Sequence, residues 1–236
     1  MNSAPLPESL TVEAYLTIRQ RILYGELAIG QTVSRRKLAS ELGMSLLPIS
    51  EALMRLEYEG LLESRPRAGT RVRIPSRDDV EGHYTVREAL EAQAARLFSI
   101  SATDAEIAEL IKLAARVDSL GASIGGNRAH YLMLHEKFHR RIAECARSSA
   151  LADAIDKTHA LASTWLCVGQ QPGRKGPPAR RHKKLMDQLE KRDPDAADFA
   201  MREHIVGSKQ RSLERLAPYF AANGRTFSRT DISVKR

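Results

Sequence analysis

The stretch Ser34–Arg73, SRRKLASELGMSLLPISEALMRLEYEGLLESRPRAGTRVR, decides the fold of the first part of the chain. Ser34 is a good N-cap, and Gly43 can end a short helix because glycine adopts a left-handed conformation at little cost. A second helix follows at once. The apolar residues of both helices fall at helical spacing: Leu38 and Leu42 in the first, and Ile49, Leu53 and Leu56 in the second. Two helices joined by a tight turn are typical of DNA-binding proteins, in which the second helix enters the major groove.

The pattern changes after Gly60 to two short extended runs, 61–63 and 70–74. Pro66 and Gly69 mark the turn between them, so the segment is predicted to form a β-wing. The wing carries arginines with no acidic residue among them, which suits phosphates or a narrow minor groove: Arg65, Arg67, Arg71 and Arg73. A solvated basic hairpin is the alternative.

The composition is that of a globular protein. The 236 residues are 42% hydrophobic and 28% charged, and their number favours two domains. A net charge of +8 allows a polyanionic partner without establishing one. Cys145 and Cys167 form no metal-type pair and are expected to be buried free thiols. Without a signal pattern or a long apolar run, the chain is expected to be cytoplasmic, with no membrane partner.

The predicted fold is mainly α. Residues 1–8 are expected to form a flexible arm, 9–75 a winged helix-turn-helix domain, 76–77 a linker, 78–222 an all-α antiparallel bundle and 223–236 a polar tail. The winged domain would begin with an amphipathic helix over 9–23 and a brief strand at 31–33. The helices expected in the bundle are 78–99, 103–120, 127–146, 149–168, 179–192 and 195–217.

The N-terminal part resembles a known family. The sequence RQRILYGELAIGQTVSRRKLASELGMSLLPISEALMRLEYEGLLESRPRAGTRV is similar to the DNA-binding domain of the GntR family of bacterial transcription regulators. The Gly-Glu-Leu segment, Glu51-Ala52-Leu53-x-Arg55-Leu56 and Glu59-Gly60-Leu61 match in order and spacing. The resemblance implies a homodimer that binds double-stranded operator DNA at an inverted repeat.

The recognition helix departs from this family. Ser45-Leu46-Leu47-Pro48-Ile49-Ser50 stands where the family usually has Ser-Arg-Thr-Pro-Val-Arg. Arginine reads guanine with two hydrogen bonds, whereas leucine offers only apolar contact, for example to a thymine methyl. Leu46 and Leu47 could instead pack inward. The residues expected to contact DNA are Arg35, Arg36, Lys37, Ser45, Leu46, Leu47, Ser50, Arg55, Arg65, Arg67 and Arg71.

Histidines recur on the apolar faces of three bundle helices. His135 and His139 are one turn apart, His182 shares a stripe with Leu185, and His204 shares one with Met201. Several inward histidines favour a ligand site over isolated core residues. His135-Glu136-x-x-His139 also matches the zinc hydrolase motif, in which the glutamate acts as general base. No sheet edge is visible to hold a peptide, so a hydrolase is the less favoured alternative.

Residues 78–217 resemble the all-helical ligand-binding domain called FCD, found in a subgroup of GntR regulators. Its hallmarks appear as Tyr84-x-x-Arg87-x-x-Leu90-Glu91, Phe138-His139, His182 and Ala200-Met201-x-x-His204. Metal-binding members use three histidines and an acidic residue, commonly aspartate, four places before the first. Carried over, the metal ligands are His135, His139, His182 and His204, with His135 in the aspartate position.

The metal and effector follow from this resemblance and from ligand chemistry. Four neutral imidazoles favour one zinc per chain, or nickel or copper, over magnesium or calcium. Alternatively, His135 swings out and leaves three histidines. Arg87 lies on an inward face, where a guanidinium needs an anion, and the resemblance implies that it grips the carboxylate of a small metabolite, with Tyr84 as a pocket wall. An internal ion pair with Glu88 or Glu91 is the alternative. The chain is therefore expected to be an effector-controlled regulator, in this subgroup most often a repressor, rather than a DNA-binding protein without an effector.

Overall fold

A computed structural model describes residues 7–65, 69–122, 128–167 and 180–224. The first part contains three helices and three short strands: α1 (Pro7–Tyr24), β1 (Thr32–Val33), α2 (Arg35–Leu42), α3 (Leu46–Tyr58), β2 (Leu62–Arg65) and β3 (Gly69–Val72). Six helices follow: α4 (Arg77–Ser101), α5 (Asp104–Ala122), α6 (Arg128–Cys145), α7 (Ser149–Cys167), α8 (Arg181–Leu189) and α9 (Pro194–Gly224). The predicted fold class, a winged helix-turn-helix followed by an all-α bundle, is confirmed.

The helix-turn-helix forms as the capping residues predict. The Ser34 hydroxyl accepts a hydrogen bond from the backbone N–H of Lys37 at 3.3 Å, which satisfies an otherwise free donor at the start of α2. Gly43 ends α2 with φ of 63°, a left-handed conformation that costs other residues free energy. These two caps fix the angle at which α3 follows α2.

The wing is a three-stranded antiparallel sheet in the order β1-β3-β2. Thr32 pairs with Arg71, and Leu62 pairs with Val72 at the opposite edge. Val33, Leu62 and Val72 are buried against α1 and α3, so one face of the sheet belongs to the core of the winged domain. The turn at 66–68, with the predicted Pro66 and Arg67, lies outside the described residues.

The last helix is longer than the sequence predicts. We expected it to end before Pro218, but α9 continues through Pro218 to Gly224. Proline removes one intrahelical hydrogen bond, whereas Leu216 is fully buried, and Tyr219 and Phe220 pack against the bundle core. This apolar packing on both sides of the proline keeps the last turns helical.

Each part of the chain has its own core, and α1 joins the two. Ile18 and Ile22 of α1 pack with α3 inside the winged domain, whereas Leu23 belongs to the core of the bundle. Arg19 of α1 also forms an ion pair with Glu136 of α6 at 3.2 Å. Among the described helices, none is long and apolar enough to span a membrane.

Candidate DNA-binding and ligand-binding sites

The start of α3 presents an apolar surface to solvent. Leu46 is 51% exposed and Leu47 is 67% exposed, and Met54 on the same helix is also exposed. The alternative that the two leucines pack inward is therefore wrong, because Ile49, Leu53 and Leu56 fill that role. The Ser50 hydroxyl donates to the carbonyl of Leu46 at 2.8 Å, which leaves its oxygen free to accept another hydrogen bond.

Basic side chains flank this surface at the start of α2. Arg35, Arg36 and Lys37 are all exposed, and Lys37 makes only a long contact with Glu41, at 3.8 Å. Within the part of the chain that the structure describes, Arg35 and Arg36 have no ion-pair partner. Ser45, the N-cap of α3, is exposed and makes no side-chain capping bond. A duplex placed against Leu46 and Leu47 would therefore meet free cations beside them.

Two predicted DNA-contacting arginines are occupied elsewhere. Arg55 pairs with Glu59 at 3.1 Å and stacks over the ring of Tyr15, 3.8 Å from its centroid. Its guanidinium thus faces α1. Arg71 pairs with Glu63, its neighbour across the wing, with Nε and Oε1 2.5 Å apart.

The wing therefore has fewer unpaired positive charges than the sequence predicts. No acidic residue lies among these arginines in the sequence, but Arg71 pairs with Glu63 and Arg73 pairs with Asp79 at 2.8 Å, both from outside that stretch. Glu63 stands directly opposite Arg71 in the sheet register, and this cross-strand pairing was not visible in the sequence spacing. The side chain of Arg65 and all of Arg67 lie outside the described residues.

The four predicted metal ligands meet inside the bundle. All are buried, and the ring centroids of His135 and His139 are 4.7 Å apart, those of His135 and His182 5.1 Å, and those of His182 and His204 5.0 Å. One nitrogen from each of His135, His139 and His182 lies within 4.8 Å of the others. His135 faces inward, as required if it replaces the aspartate of the metal-binding members.

Carboxylates orient two of these histidines from behind. Asp118 of α5 accepts hydrogen bonds from the backbone N–H groups of His182 and Lys183 and lies 2.7 Å from His182 Nδ1. Oε2 of Glu91 lies 2.6 Å from His139 Nδ1. Since a carboxylate can only accept, Nδ1 of His182 carries the hydrogen and its Nε2 is left with a lone pair. Metal-binding histidines are commonly held by a carboxylate in this way.

The histidines are neutral at physiological pH. Burial lowers the pKa of His135 and His204 well below the ordinary value, and the neighbouring histidines add to the effect. Burial also lowers the pKa of His139 to about 3, although the nearby Glu91 carboxylate opposes the shift. The pKa of His182 is lowered by burial against the opposing effect of Asp118. Neutral imidazole is the form that binds a metal ion.

The residues present fit a transition metal. His135 Nδ1, His139 Nε2, His182 Nε2 and His204 Nε2 are buried and have no hydrogen-bond partner among the described residues. Leaving buried polar atoms unpaired is costly, so these nitrogens indicate a missing partner, and one nitrogen from each of His135, His139 and His182 lies within 4.8 Å of the others. An all-nitrogen set suits zinc, nickel or copper.

Arg87 and Tyr84 lie beside the histidines with most of their polar atoms already paired. Arg87 is 1% exposed and binds Oε1 of Glu91 through Nε at 2.8 Å and Nη2 at 2.7 Å, so the internal ion pair that we considered does form. Burial disfavours the charged form of Glu91, but Arg87 and His139 together lower its pKa well below the usual range. Nη1 of Arg87 remains buried without a partner in the described structure. The Tyr84 hydroxyl lies 2.8 Å from the hydroxyl of Ser212.

The Glu136 carboxylate is directed toward the winged domain. It contacts Arg19 of the winged domain and is 26% exposed, whereas His135 and His139 point into the bundle. In this structure the Glu136 carboxylate is held by Arg19 and not by the histidine nitrogens, so it is not placed to act as a general base beside them. The match to the hydrolase motif is therefore a match of sequence without the arrangement of side chains that catalysis requires.

Sequence reasoning missed three residues of this site. His159 of α7 is buried with its ring 5.0 Å from that of His139, and its Nε2 lies 3.3 Å from Oε1 of Glu91. Ser163, one turn later, is fully buried. The inward spacing of Ile155, His159 and Ala162 contained the signal for His159. Nothing in the sequence indicated that Asp118 would hold His182, because the two lie far apart in the chain.

The two cysteines were expected to be buried thiols. Cys145 is a buried free thiol, and burial raises its pKa to about 11. The side chain of Cys167 lies outside the described part of the chain.

A winged helix-turn-helix followed by an all-α bundle is the architecture of a DNA-binding regulator. Residues 10–72 match the family "Bacterial regulatory proteins, gntR family", and residues 83–207 match the FCD domain family. The chain belongs to the GntR family of transcriptional regulators and carries an FCD domain. It is a regulator and not an enzyme.

Named relatives and solved structures agree with this assignment. The "Probable D-xylose utilization operon transcriptional repressor" of Paenarthrobacter nicotinovorans is 30% identical over 80% of this chain and 82% of its own length. The repressor RspR of Escherichia coli K12 is 24% identical over 82% and 84%. The fold matches a GntR regulator of Rhodococcus sp. RHA1 with a TM-score of 0.71, at 20% identity over 87% of this chain and 98% of that one. Escherichia coli McbR/YncC gives a TM-score of 0.69 at 20% identity, covering 93% and 100%.

Proposed function

We propose that this protein is a cytoplasmic repressor that releases its operator when a small carboxylate binds in the bundle. The observation that carries the proposal is the group of buried nitrogens without partners, on His135, His139, His182, His204 and Arg87. A DNA-binding protein without an effector would gain nothing from this centre, because unpaired buried polar atoms only destabilise it. A transition metal, most simply zinc, bound by the histidines would supply a Lewis acid that attracts a carboxylate, and Nη1 of Arg87 would donate to the same group.

The DNA-binding surface in this proposal consists of the start of α2, the start of α3 and the wing. Arg35, Arg36 and Lys37 contact phosphates, while Ser45, Leu46, Leu47 and Ser50 approach base edges in the major groove. Arg65 and Arg67 remain candidates for backbone contacts from the wing, whereas Arg71 is paired with Glu63. Arg55 is not included, because its guanidinium is held by Glu59 and Tyr15.

Helix α6 provides the connection between the two sites. Its inner face carries His135 and His139, and its outer face carries Glu136, which is paired with Arg19 of α1. Helix α1 in turn packs on α3 through Ile18 and Ile22. A ligand that favours one position of α6 therefore also favours one placement of the recognition helix. Such a ligand acts only through its different affinities for the DNA-bound and DNA-free states.

Removal of the α2 cations tests the DNA-binding surface. The probe is an operator duplex selected from random sequences with the wild-type protein. We expect the double variant Arg36→Ala/Lys37→Ala to bind this duplex more weakly than the wild type at every salt concentration. If each side chain contacts one phosphate, the slope of log affinity against log salt becomes shallower by about 2. Fluorescence anisotropy between low and moderate salt measures both quantities.

Lys112→Ala, which removes an exposed cation of α5, is the matched control and should leave both the affinity and the slope unchanged. A double variant with an unchanged slope would place the phosphate contacts elsewhere on the protein.

An exposed apolar face of the bundle supports the proposed homodimer. Four apolar side chains are exposed here: Val86 and Ile100 of α4, and Phe199 and Val206 of α9. The first pair is two heptads apart and the second pair is one heptad apart, so the members of each pair lie on the same side of their helix. The two helices pack antiparallel, as the ion pairs Glu88–Arg202 and Arg96–Asp195 show. These four side chains form the α4–α9 face. An inverted-repeat operator requires a protein with two-fold symmetry, so we assign this face to a second copy of the chain.

A charge placed on the α4–α9 face should separate the subunits. We expect Phe199→Glu, at a side chain that is 66% exposed, to change the mass in solution from dimer to monomer while the fold is retained. Light scattering after gel filtration and circular dichroism measure the two properties. Met133→Glu, at an exposed apolar residue of α6, is the control and should remain dimeric. A Phe199→Glu variant that is still fully dimeric would exclude this face as the interface.

A further inference from the structure

Two arginines converge on one glycine of α9. A Cβ atom placed on Gly207 would stand 3.2 Å from Nη2 of Arg181 and 3.4 Å from Nη1 of Arg211. Arg181 begins α8, and Arg211 lies one turn after Gly207 on α9, so two helices bring their guanidinium groups to the same place. Because Gly207 has no side chain, both groups can approach the helix backbone closely. Two positive charges therefore lie together where α8 packs against α9.

Neither arginine has a carboxylate partner in the described part of the chain. Nη2 of Arg181 lies 3.4 Å from the carbonyl oxygen of His204, which is longer than an ordinary hydrogen bond. Nη2 of Arg211 donates to the hydroxyl of Ser208 at 2.7 Å, and this neutral group supplies no negative charge. Both arginine side chains are only partly exposed. Arginines withdrawn from water are rarely left without an anion, so this pair indicates one that is missing.

The charged groups around the two arginines do not supply this anion. The carboxylate of Asp118 acts on Arg181 from a distance, but both of its oxygens already accept hydrogen bonds from the first residues of α8. Arg215, one turn after Arg211 on α9, adds a further positive charge nearby. Burial lowers the pKa of Arg181, and the charge of Arg215 acts in the same direction. An anion bound here would relieve this unfavourable environment.

The arrangement favours a small anion with tetrahedral oxygens. A guanidinium presents its donors in a planar fork, and two forks that converge from different helices can bind different oxygens of one group. A phosphate group carries about −1.5 to −2 charges at pH 7 and at least three acceptor oxygens, whereas a carboxylate has one charge and two oxygens. A DNA duplex would instead meet cations that are spread along a surface. Convergence on one point therefore selects a small ligand.

We propose that Arg181, Arg211 and Gly207 form a binding site for a phosphate group, either inorganic phosphate or the phosphate of a small ester. Both guanidinium groups donate to the phosphate oxygens, and the Ser208 hydroxyl holds Arg211 in position. The site uses neither the unpaired histidine nitrogens nor Arg87, so it requires neither the metal nor the carboxylate effector of the proposed function. It gives the bundle a second anion-binding site, formed by α8 and α9.

Titration of the metal-free, full-length protein with inorganic phosphate tests the site without any contribution from a metal. Calorimetry at an ionic strength held constant with chloride should show saturable binding of one phosphate per chain. We expect Arg211→Gln to weaken this binding about 10-fold or more, because it removes a charge-assisted hydrogen bond. Gly207→Ala should weaken it as well, since the added methyl group occupies the place where the two guanidinium groups meet. Circular dichroism verifies that both variants are folded.

Glycerol 3-phosphate distinguishes the two sources of the phosphate group. Tighter binding of this ester than of inorganic phosphate would assign the site to a phosphorylated metabolite. Failure of the ester to bind where inorganic phosphate does would assign the site to the free ion. In either case Arg211→Gln should weaken the binding of the ligand that the wild type prefers.

Two matched variants control for changes in helix propensity and in net charge. In Gly82→Ala, within α4, the new Cβ would meet no described atom within 4 Å beyond its own helix backbone. Arg116→Gln removes an exposed arginine of α5. Both variants should bind phosphate as the wild type does.

The double variant Arg36→Ala/Lys37→Ala should also bind phosphate normally, which separates this site from the proposed DNA-binding surface. Absence of saturable phosphate binding by the wild type would overturn the proposal. So would binding that stays unchanged in both Arg211→Gln and Gly207→Ala. Neither result would alter the proposed function, which is tested by metal content and by operator release with carboxylates.

Discussion

Loss of the metal from His139→Ala and from His204→Ala is the largest effect that we expect from a single substitution. Each change removes a buried nitrogen that has no other partner in the described structure, and His139 lies between the other three rings. We expect the affinity for zinc to fall on the order of 100-fold or more, since even residues behind the ligands alter metal affinity 10- to 100-fold. Elemental analysis of protein purified without chelators or nickel measures the metal content per chain.

Glu136→Gln is the matched control for this experiment. It changes the residue next to His135 within the motif that resembles a zinc hydrolase, but its side chain faces Arg19 on the outside of α6. We expect about one metal per chain to be retained and the operator still to be bound. A wild-type protein that remains metal-free after zinc is added would show that the histidines serve as polar groups of the pocket, and the effector would then depend on Arg87 alone.

The second large effect is a loss of stability of the metal-free protein in mild acid. Burial lowers the pKa values of His135, His182 and His204, lowers that of His139 to about 3, and lowers that of His83 to about 4. Below about pH 6.5 the unfolded chain therefore binds protons that the folded chain does not, and the free energy of unfolding falls as the pH falls. Each buried histidine contributes roughly 1.4 kcal/mol per pH unit in this range. Between pH 7 and pH 5 the combined loss reaches several kcal/mol, a large part of the stability of a typical domain.

Carboxylates do not account for this pH window. The pKa of Glu91 is lowered by folding, so its contribution to stability is present above the unfolded value of about 4.5 and is lost only in stronger acid.

Urea unfolding at pH 7.5, 6.5 and 5.5 measures how the free energy of unfolding depends on pH. His204→Gln, which replaces one imidazole by a neutral amide, should show a shallower dependence by about one proton. Parallel curves for the variant and the wild type would mean that His204 is not buried in its neutral form. Added zinc should shift the loss to lower pH, because only the neutral rings bind it.

Local signals predicted the fold because they act over a few residues. Ser34 and Gly43 cap α2 as expected, and the stripe of Ile49, Leu53 and Leu56 correctly identified the buried face of α3. Our prediction of where α9 ends was wrong. The tendency of proline to end a helix is outweighed at Pro218 by the burial of Leu216 and by the apolar side chains that follow. The helix propensity of a single residue contributes less free energy than the packing of several side chains.

The candidate site was only partly predictable, since its partners come from distant positions. The inward spacing of His135 and His139 was sufficient to predict that they meet. By contrast, the carboxylates that hold His139 and His182 lie on α4 and α5, and the glutamate opposite Arg71 is defined by the strand register. Sequence spacing within one element carries no information about such contacts between elements.

The exposed leucines at the start of α3 separate two properties that usually vary together in DNA-binding proteins. Contacts of arginine and lysine with phosphates release counterions and weaken as ionic strength rises, whereas the base contacts that we propose for the exposed Leu46 and Leu47 would release none. With such contacts, ionic strength would change how tightly the protein binds any duplex, while its preference among base sequences would stay nearly constant. Under osmotic stress a regulator of this kind would lose occupancy on all sites in proportion and would keep the same ranking of sites.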